Sequence, residues 1–247
     1  MISRAEQHGD CTFAVVSDTG ISHRIHNIVN QDAVDYIVIG DDFALAVSDG
    51  VGSCQRAEIG SNAAVSAIKS VFNSLMNKAV QNEPSRIADC IITEWHRLLG
   101  EENPDDCCAT LKAAIKIGNR LLLFSIGDGI LAVSSAGMRV CAPLENNLFT
   151  NQTKCLNEMV KSEDIWLSIF NLDLHVPYVV FACTDGVANG ILEGCEMELV
   201  EEIENELDAT ELQSELENLL IDIAEYSSDD RTVGVVKYER KNAKHDR

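Results

Sequence analysis

FALAVSDGVGSCQRAEIGS, residues 43–61, carries the most informative change of pattern in the chain. It opens with a short apolar run rich in strand-forming residues, which predicts a buried strand ending at Asp49. From Arg56 onward, apolar residues recur three or four positions apart, and this period predicts a long amphipathic helix. The sequence therefore places a carboxylate at the end of a buried strand, shortly before a helix begins.

The same arrangement returns twice, as FSIGDG at 124–129 and FACTDG at 181–186. Asp-Gly is also the strongest short signal for a β-hairpin, so the repetition has a purely structural explanation as well. For Asp128, which has strand-like segments on both sides, a plain hairpin turn remains open. For Asp49 and Asp185 the pattern runs from a strand into a loop or helix, which weakens the hairpin explanation and favours a functional site.

The composition describes a globular but strongly acidic chain. It has 247 residues, of which 46% are hydrophobic, and 40 acidic against 19 basic residues give a formal net charge of −21. Such a charge repels nucleic acids and anionic membrane surfaces, and no basic patch offsets it. No apolar run approaches the roughly eighteen residues of a membrane span, and the N-terminus lacks the apolar segment of a signal peptide. We therefore expect a cytoplasmic protein without a nucleic-acid or membrane partner.

The cysteines predict structural thiols. Nine are present, none in a C-x-x-C pair, and most lie inside apolar runs, where a thiol behaves as a small hydrophobic group. We expect them to be reduced, as in most cytosolic proteins. The same lack of paired spacing argues against a zinc site.

Strand-like segments occupy much of the chain and are bounded by Gly, Asp or Pro. They lie at 12–18, 35–41, 43–49, 109–117, 120–126, 130–135, 138–144, 177–185 and 232–238. The four segments between 109 and 144 follow one another through Gly-containing turns, and they predict an antiparallel meander. Residues 144–176 show no clear pattern, apart from the weakly helical DIWLSIF at 164–170.

Helical periodicity appears in three regions. The helix after Arg56 extends to Met76, and Pro84 suits the first turn of a second helix. Residues 193–225, where every charged residue is acidic, predict two more helices that divide near 208–210. This order of strands and helices lacks the regular alternation of a parallel sheet, so it predicts an α+β layered fold. No linker is apparent, and we expect one domain over residues 1–247 with a disordered basic tail at about 240–247.

Acidic residues stand at the ends of several predicted strands. They are Asp32, Asp49, Asp128, Asp185 and the pair Asp229-Asp230. If these strands are neighbours, the carboxylates converge and repel one another unless cations neutralise them. Hard divalent cations with oxygen ligands do this most directly, so the sequence predicts Mg²⁺ or Mn²⁺.

Six motifs, spread in order along the chain, resemble those of the metal-dependent PPM-type (type 2C) serine/threonine protein phosphatases, and in particular a divergent bacterial subgroup. They are VVSDTGISHRIHNIVNQDAV (15–34), LAVSDGVGSCQRAEIGS (45–61), CCATLKAAI (107–115), FSIGDGILAVS (124–134), FACTDGVANGI (181–191) and DDRTVGVV (229–236). The last one resembles the Asp-Asn-x-Thr segment of the family. Each motif is short, and their shared order gives the resemblance its weight.

The resemblance implies a four-layer α-β-β-α sandwich of two antiparallel sheets flanked by helix pairs, with a two-metal centre at one end. It also implies hydrolysis of phosphoserine or phosphothreonine by direct attack of a metal-bridging water. The resemblance implies that Asp49 bridges both ions and that the Gly50 carbonyl binds one of them. It implies that Asp185 and Asp230 complete the coordination of the other ion and, with Asp49, activate the water. It further implies that Asp32 acts through bound water and that Asp128 binds a third ion. A phosphoprotein substrate, a partner kinase and a monomeric state are further expectations.

The chain departs from the family pattern where substrate is handled. Val51 stands where the family often has a His, and Asn27 stands where the phosphate-binding Arg is expected. Arg24 and His23 are the candidates to bind the phosphate instead, and His23 is a candidate catalytic group. These departures leave open a weak or inactive phosphatase-like module that acts by binding or regulation. A charge-driven partner of the acidic segment 193–225 is a third, weaker alternative.

Overall fold

The computed structural model describes residues 1–78, 83–135, 137–143, 154–205, 207 and 210–240. The strands in these ranges are β1 (Ile2–His8), β2 (Cys11–Asp18), β3 (Ala33–Ile39), β4 (Asp42–Ser48), β5 (Leu111–Ile117), β6 (Arg120–Ile126), β7 (Ile130–Ser135), β8 (Met138–Cys141), β9 (Trp166–Asn171), β10 (Tyr178–Cys183) and β11 (Arg231–Tyr238). The α-helices are α1 (Ile21–His26), α2 (Ala57–Met76), α3 (Pro84–Leu99), α4 (Asp185–Ala188), α5 (Glu196–Asn205) and α6 (Leu212–Ile223).

Two antiparallel sheets form the centre of the molecule. One has the strand order β1-β2-β11-β10-β7-β8 and the other β3-β4-β5-β6-β9. Their facing sides enclose a buried apolar layer that includes Phe13, Phe43, Leu123 and Val180. Alternating side chains of each strand point to opposite faces, so each sheet also presents an apolar outer face that a helix layer must cover.

Helices cover both outer faces. The Ala-rich side of α2 packs on β3 and β4 with α3 beside it, whereas α5 and α6 pack on strands of the other sheet. The small side chains of α2 let the helix approach the sheet closely, as the apolar periodicity predicted. The α+β fold with two antiparallel sheets and flanking helices is thereby confirmed.

The predicted antiparallel meander between 109 and 144 is wrong. β6 pairs with β5 and β9 in one sheet, whereas β7 pairs with β10 and β8 in the other. The chain therefore changes sheets at 127–129, and this segment is not a hairpin turn. Both edges of β6 are already occupied, so the strand that follows must find its partners elsewhere.

Three local expectations also differ from the structure. Residues 164–170 looked weakly helical, but β9 forms there as an edge strand, because pairing with β6 overrides a weak local preference. The segment 21–26 showed no helical periodicity in the sequence, yet it forms the short helix α1. The N-terminal strand β1, mostly exposed at the edge beside β2, carried no apolar pattern that could have indicated it.

Some expectations concern residues outside the described ranges. The basic tail over 241–247 and most of the expected helix boundary near 208–210 fall there, so the single domain with a disordered tail stays a prediction. Among the described helices, none combines the length and hydropathy that a membrane crossing requires. All nine cysteines are free thiols, although only Cys11, Cys107 and Cys183 are buried.

Gly60 in α2 sets how closely the first helix pair packs. A Cβ at this position would lie 1.8 Å from the carbonyl oxygen of Cys107, and Trp95 Nε1 donates a hydrogen bond of 3.0 Å to the Gly60 carbonyl. Gly60→Ala must therefore push α2 away from its neighbours, and we expect it to lower the free energy of unfolding by roughly 3 kcal/mol. Urea denaturation measures this loss. Ser66→Ala, on the exposed side of the same helix, is the control and should change stability little; equal stability of the two variants would contradict the packing seen here.

Candidate metal centre

Three carboxylates meet at one end of the sandwich. Asp49 follows β4, Asp128 lies where the chain changes sheets, and Asp185 follows β10. One carboxylate oxygen from each lies within 4.8 Å of the others, and all three side chains are half-buried. The strand-end acids singled out in the sequence therefore converge, and their mutual repulsion makes this the natural position for a cation.

These carboxylates open into a cleft of about 820 Å³. Its lining consists of Ser22, His23, Gln31, Asp49, Gly50, Val51, Gly52, Thr110, Asp128, Asp185, Ser228 and Asp229. His23 is the one member of this lining that can carry a positive charge, among the residues that the structure describes. The cleft is thus an acidic basin bordered by hydroxyl and amide groups.

Backbone contacts fix the position of Asp49. Its N–H donates to Thr110 Oγ1 at 2.9 Å, and the Thr110 N–H donates back to the Asp49 carbonyl at 2.8 Å. The next residue, Gly50, donates its N–H to the Gln31 carbonyl at 3.1 Å. The end of β4 is therefore tied both to the segment that enters β5 and to the segment that precedes β3.

Asp32 lies beneath the cleft and is 7% exposed. Its Oδ2 accepts a hydrogen bond of 2.9 Å from Thr184 Oγ1, whereas its buried Oδ1 has no hydrogen-bond partner among the described residues. The Asp32 and Asp49 carboxyl groups lie close enough to affect each other's pKa. Two neighbouring carboxylates, one with an unsatisfied buried oxygen, fit a site that holds a divalent cation or, without one, a proton.

The electrostatics of the acids follow from this crowding. Burial raises the pKa of Asp49, and the Asp32 and Asp185 carboxylates reinforce the rise. Burial also raises the pKa of Asp32, with a contribution from Asp230. Burial together with Asp128 and Asp229 raises the pKa of Asp185 to about 7. All three groups disfavour their charged forms unless a positive charge is placed among them.

The two adjacent acids before β11 face different surroundings. Asp229 lines the cleft, whereas Asp230 is 2% exposed. Asp230 accepts hydrogen bonds from the Gly20 N–H at 2.7 Å, the Gln31 N–H at 2.6 Å and His23 Nδ1 at 2.9 Å. The structure therefore brings Asp229 to the cleft and engages Asp230 with the opening segment of the chain.

Gly186 explains how Asp185 comes so close to this acidic pair. A Cβ on Gly186 would lie 1.9 Å from the Asp230 carbonyl oxygen, a contact that no side chain can make. The Gly that follows Asp185 is therefore required for the approach of two backbones, and the same approach places Asp185 near Asp229. This is a structural reason for one of the repeated Asp-Gly pairs.

Arg24 does not line the cleft. Its Nη2 binds Asp18 Oδ1 at 2.5 Å, and Asp18 also receives Arg231 Nη2 at 2.7 Å and the N-terminal amino group at 3.1 Å. The structure thus ties Arg24 to a buried ion-pair cluster beside the cleft. His23, the other candidate for the phosphate, does border the cleft.

The sequence interpretation named Asp229 among the strand-end acids but gave the metal role to Asp230, and it gave no role to Gln31 or Thr110; all three line the cleft. For Asp229 a signal was available. Counting back from Thr232 aligns Asp229 with the Asp and Asp230 with the Asn of the Asp-Asn-x-Thr segment, whereas the sequence interpretation set Asp230 at the Asp. Gln31 and Thr110 act through backbone and hydroxyl contacts that no spacing pattern reveals.

Asp185 makes the stability of the metal-free protein depend on pH. Its pKa of about 7 in the fold exceeds the unfolded value, so between roughly pH 4 and pH 7 the folded state holds a proton that the unfolded chain has lost. The free energy of unfolding should therefore fall as pH rises through this window, by up to about 4 kcal/mol from this group.

Urea denaturation in chelator at about pH 5 and pH 7 tests this, because the decrease is a difference between two measured free energies of unfolding. Asp185→Asn should reduce the slope by the share of this one group and leave the part that comes from Asp32 and Asp49, whose pKa values are also raised. Asp222→Asn on the exposed side of α6 should leave the slope unchanged. A slope in Asp185→Asn equal to that of the unsubstituted protein would show that Asp185 does not contribute.

Comparison with known families decides the classification. The family model for protein phosphatase 2C matches residues 19–221. The chain belongs to the protein phosphatase 2C family. Membership in this family makes the chain a phosphoprotein phosphatase by class. The family that the six motifs predicted is thereby confirmed. Comparison with curated proteins finds no match.

Solved structures share the fold of this family member. A bacterial serine phosphatase superposes with a TM-score of 0.67 at 17% identity, covering 96% of this chain and 100% of the other. The catalytic domain of the serine/threonine phosphatase PstP, solved with two manganese ions, gives a TM-score of 0.64 at 18% identity, covering 93% of this chain and 99% of the other. The serine/threonine phosphatase of S. agalactiae superposes with a TM-score of 0.62 at 15% identity, covering 93% of this chain and 100% of the other.

Proposed function

We propose that the chain hydrolyses phosphoserine or phosphothreonine in proteins, using two Mg²⁺ or Mn²⁺ ions held in the acidic cleft. The observation that carries the proposal is the cluster formed by Asp49, Asp128 and Asp185, whose oxygens lie within 4.8 Å of one another. The family membership and the two manganese ions bound by PstP support the same conclusion.

The described residues fit such ions. Asp49, the Gly50 carbonyl, Asp185 and Asp229 would hold the two ions, with Asp128 available to a third and Asp32 beneath them. When bound, the ions would supply a nucleophilic water at neutral pH and stabilise the negative charge that develops on the phosphoryl group. Asp229 replaces Asp230 in this set, because the Asp230 carboxylate already accepts three hydrogen bonds from N–H groups.

The cleft residues select their substrate by charge. Without cations, the acidic lining repels a phosphate dianion, and bound divalent ions reverse the local field so that the dianion can enter. His23 is the group we assign to the phosphate or the leaving alkoxide, in place of the expected Arg and His at positions 27 and 51. Its Nδ1 is engaged by Asp230 at 2.9 Å, which orients the ring and leaves Nε2 available to the cleft.

The test measures the release of phosphate from a phosphothreonine peptide in three conditions: with Mn²⁺, with Mg²⁺ and with excess chelator. Release that requires the metal and returns when Mn²⁺ is restored is the expected result. The His23→Gln variant should keep the fold and Mn²⁺ affinity but lose turnover. Metal-independent release would contradict the proposal.

A second candidate function is binding without turnover. It is favoured by Val51 and Asn27 at the positions of two expected catalytic groups and by the engagement of Arg24 with Asp18. Calorimetric titration with Mn²⁺, followed by the phosphopeptide, separates the two functions. Tight binding of both without phosphate release would identify a phosphatase-like binding module.

A further inference from the structure

Three thiols meet beside the loop that carries Gly50. Cys54 Sγ and Cys108 Sγ both donate to the carbonyl oxygen of Asp105, each at 3.4 Å. The Cys54 and Cys155 thiols lie close enough to Cys108 to contribute to the raised pKa of its thiol. Cys108 is therefore the central member of a three-thiol cluster that lies outside the acidic cleft.

The backbone brings these thiols together from three separate segments. The Val51 N–H donates to the Cys108 carbonyl at 2.9 Å, and the Cys54 N–H donates to the Val51 carbonyl at 2.8 Å. The residue after Cys155, Leu156, pairs with Ala109 through two hydrogen bonds, in which the Leu156 N–H donates at 2.8 Å and the Ala109 N–H at 3.3 Å. Backbone hydrogen bonds between the three segments therefore hold the three thiols near one another.

We propose that Cys54 and Cys108 form an oxidation site beside Cys155, in which hydrogen peroxide converts Cys54 and Cys108 to a disulfide. The Cys54 thiol loses its proton, and the thiolate attacks one peroxide oxygen, which gives a sulfenic acid and releases hydroxide that takes up this proton to become water. The Cys108 thiol then attacks the Cys54 sulfur and displaces water, so that two thiols and one peroxide give one disulfide and two waters.

The surroundings distinguish the roles of the thiols. Cys54 is half-buried between exposed neighbours, Ser53 and Gln55, where a small oxidant can reach it. Burial raises the pKa of Cys108 and of Cys155, which keeps both as thiols until a neighbouring sulfur becomes electrophilic. Cys108 is the resolving thiol, because it shares the Asp105 carbonyl with Cys54 as hydrogen-bond acceptor.

The site would tie the loop after Asp49 to the segment that leads into β5. These two segments are already joined by the hydrogen bond from Val51 to the Cys108 carbonyl, so the new bond adds to an existing connection. A disulfide requires its sulfurs to close to about 2.05 Å, which is shorter than any contact between separate thiols. The loop must therefore move slightly toward Cys108 when the bond forms.

The test treats the reduced full-length chain with hydrogen peroxide, blocks the remaining thiols by alkylation and maps the peptides by mass spectrometry. We expect a loss of two hydrogens per molecule and a crosslinked peptide that contains Cys54 and Cys108, both reversed by dithiothreitol. Cys54→Ser and Cys108→Ser should abolish the crosslink. Cys155→Ser should retain it, as should the control Cys195→Ser, which removes a half-buried thiol elsewhere.

Two results would overturn the proposal. One is Cys54 carried to sulfinic acid while Cys108 remains free to alkylate, and the other is a crosslink that maps to a different pair. The peptide map of the unsubstituted chain decides this even if a variant fails to fold. The readout does not depend on phosphatase activity, so it stands apart from the proposed function.

Discussion

Asp49→Asn is expected to reduce manganese-dependent release of phosphate from a phosphothreonine peptide by on the order of 10³-fold, an effect typical for loss of a key electrostatic group. Asp49 is the carboxylate close to Asp32 and within 4.8 Å of Asp128 and Asp185, so it contributes most to holding cations together. The amide of Asn keeps the shape of the side chain but removes its charge.

The same variant should be more stable than the unsubstituted protein in chelator. At neutral pH the buried Asp49 must either take up a proton or remain charged beside other carboxylates, and Asn avoids both costs. We expect the melting temperature of the metal-free protein to rise by about 5 °C. Differential scanning calorimetry in chelator measures this.

Lost turnover together with higher stability of the metal-free protein is what we expect of a carboxylate whose role is to bind cations. Asp89→Asn, an exposed acid on α3, is the matched control and should change neither property. Turnover that persists in Asp49→Asn would contradict the proposed function. A loss of stability in chelator would instead mean that the carboxylate holds the fold together.

Asp229→Asn and Asp230→Asn are expected to fail in opposite ways. Asp229 lines the cleft, so its variant should fold normally, bind Mn²⁺ more weakly and lose roughly 10²-fold or more in turnover. Asp230 is buried and accepts hydrogen bonds from Gly20, Gln31 and His23. Its variant must place an NH₂ group against one of these donors, which should lower the free energy of unfolding by about 2 kcal/mol.

Each variant of this pair is the other's control, since adjacent residues undergo the same chemical change. Isothermal titration with Mn²⁺ gives the affinity, and urea denaturation in chelator gives the stability. Weak Mn²⁺ binding in Asp230→Asn together with normal binding in Asp229→Asn would contradict the prediction. It would identify Asp230, the residue suggested by the sequence, as the metal ligand.

Much of the site could be predicted because it depends on local pattern. Asp49, Asp128 and Asp185 each follow an apolar run, and the prediction that they converge assumed that their strands are neighbours. In the structure β4 and β6 run in the same direction on either side of β5, so they end at the same edge, and β10 reaches that end from the other sheet. The phosphate-binding group was harder to predict, because the side chain of Arg24 could point to the cleft or to Asp18. Only the position of α1, whose Ser22 N–H donates to the Ser228 carbonyl in the segment before β11, decides between them.

The sequence by itself determined the layered fold, the helix after Asp49 and the presence of an acidic site, because periodicities of two and of about 3.6 residues record which side of each element is buried. Only the tertiary structure decided that β6 and β7 lie in different sheets and that Asp229 rather than Asp230 reaches the cleft. Adjacent residues of an extended chain point in opposite directions. Which one faces the cleft therefore depends on the register of β11 with β2 and β10, pairings between residues far apart in the chain.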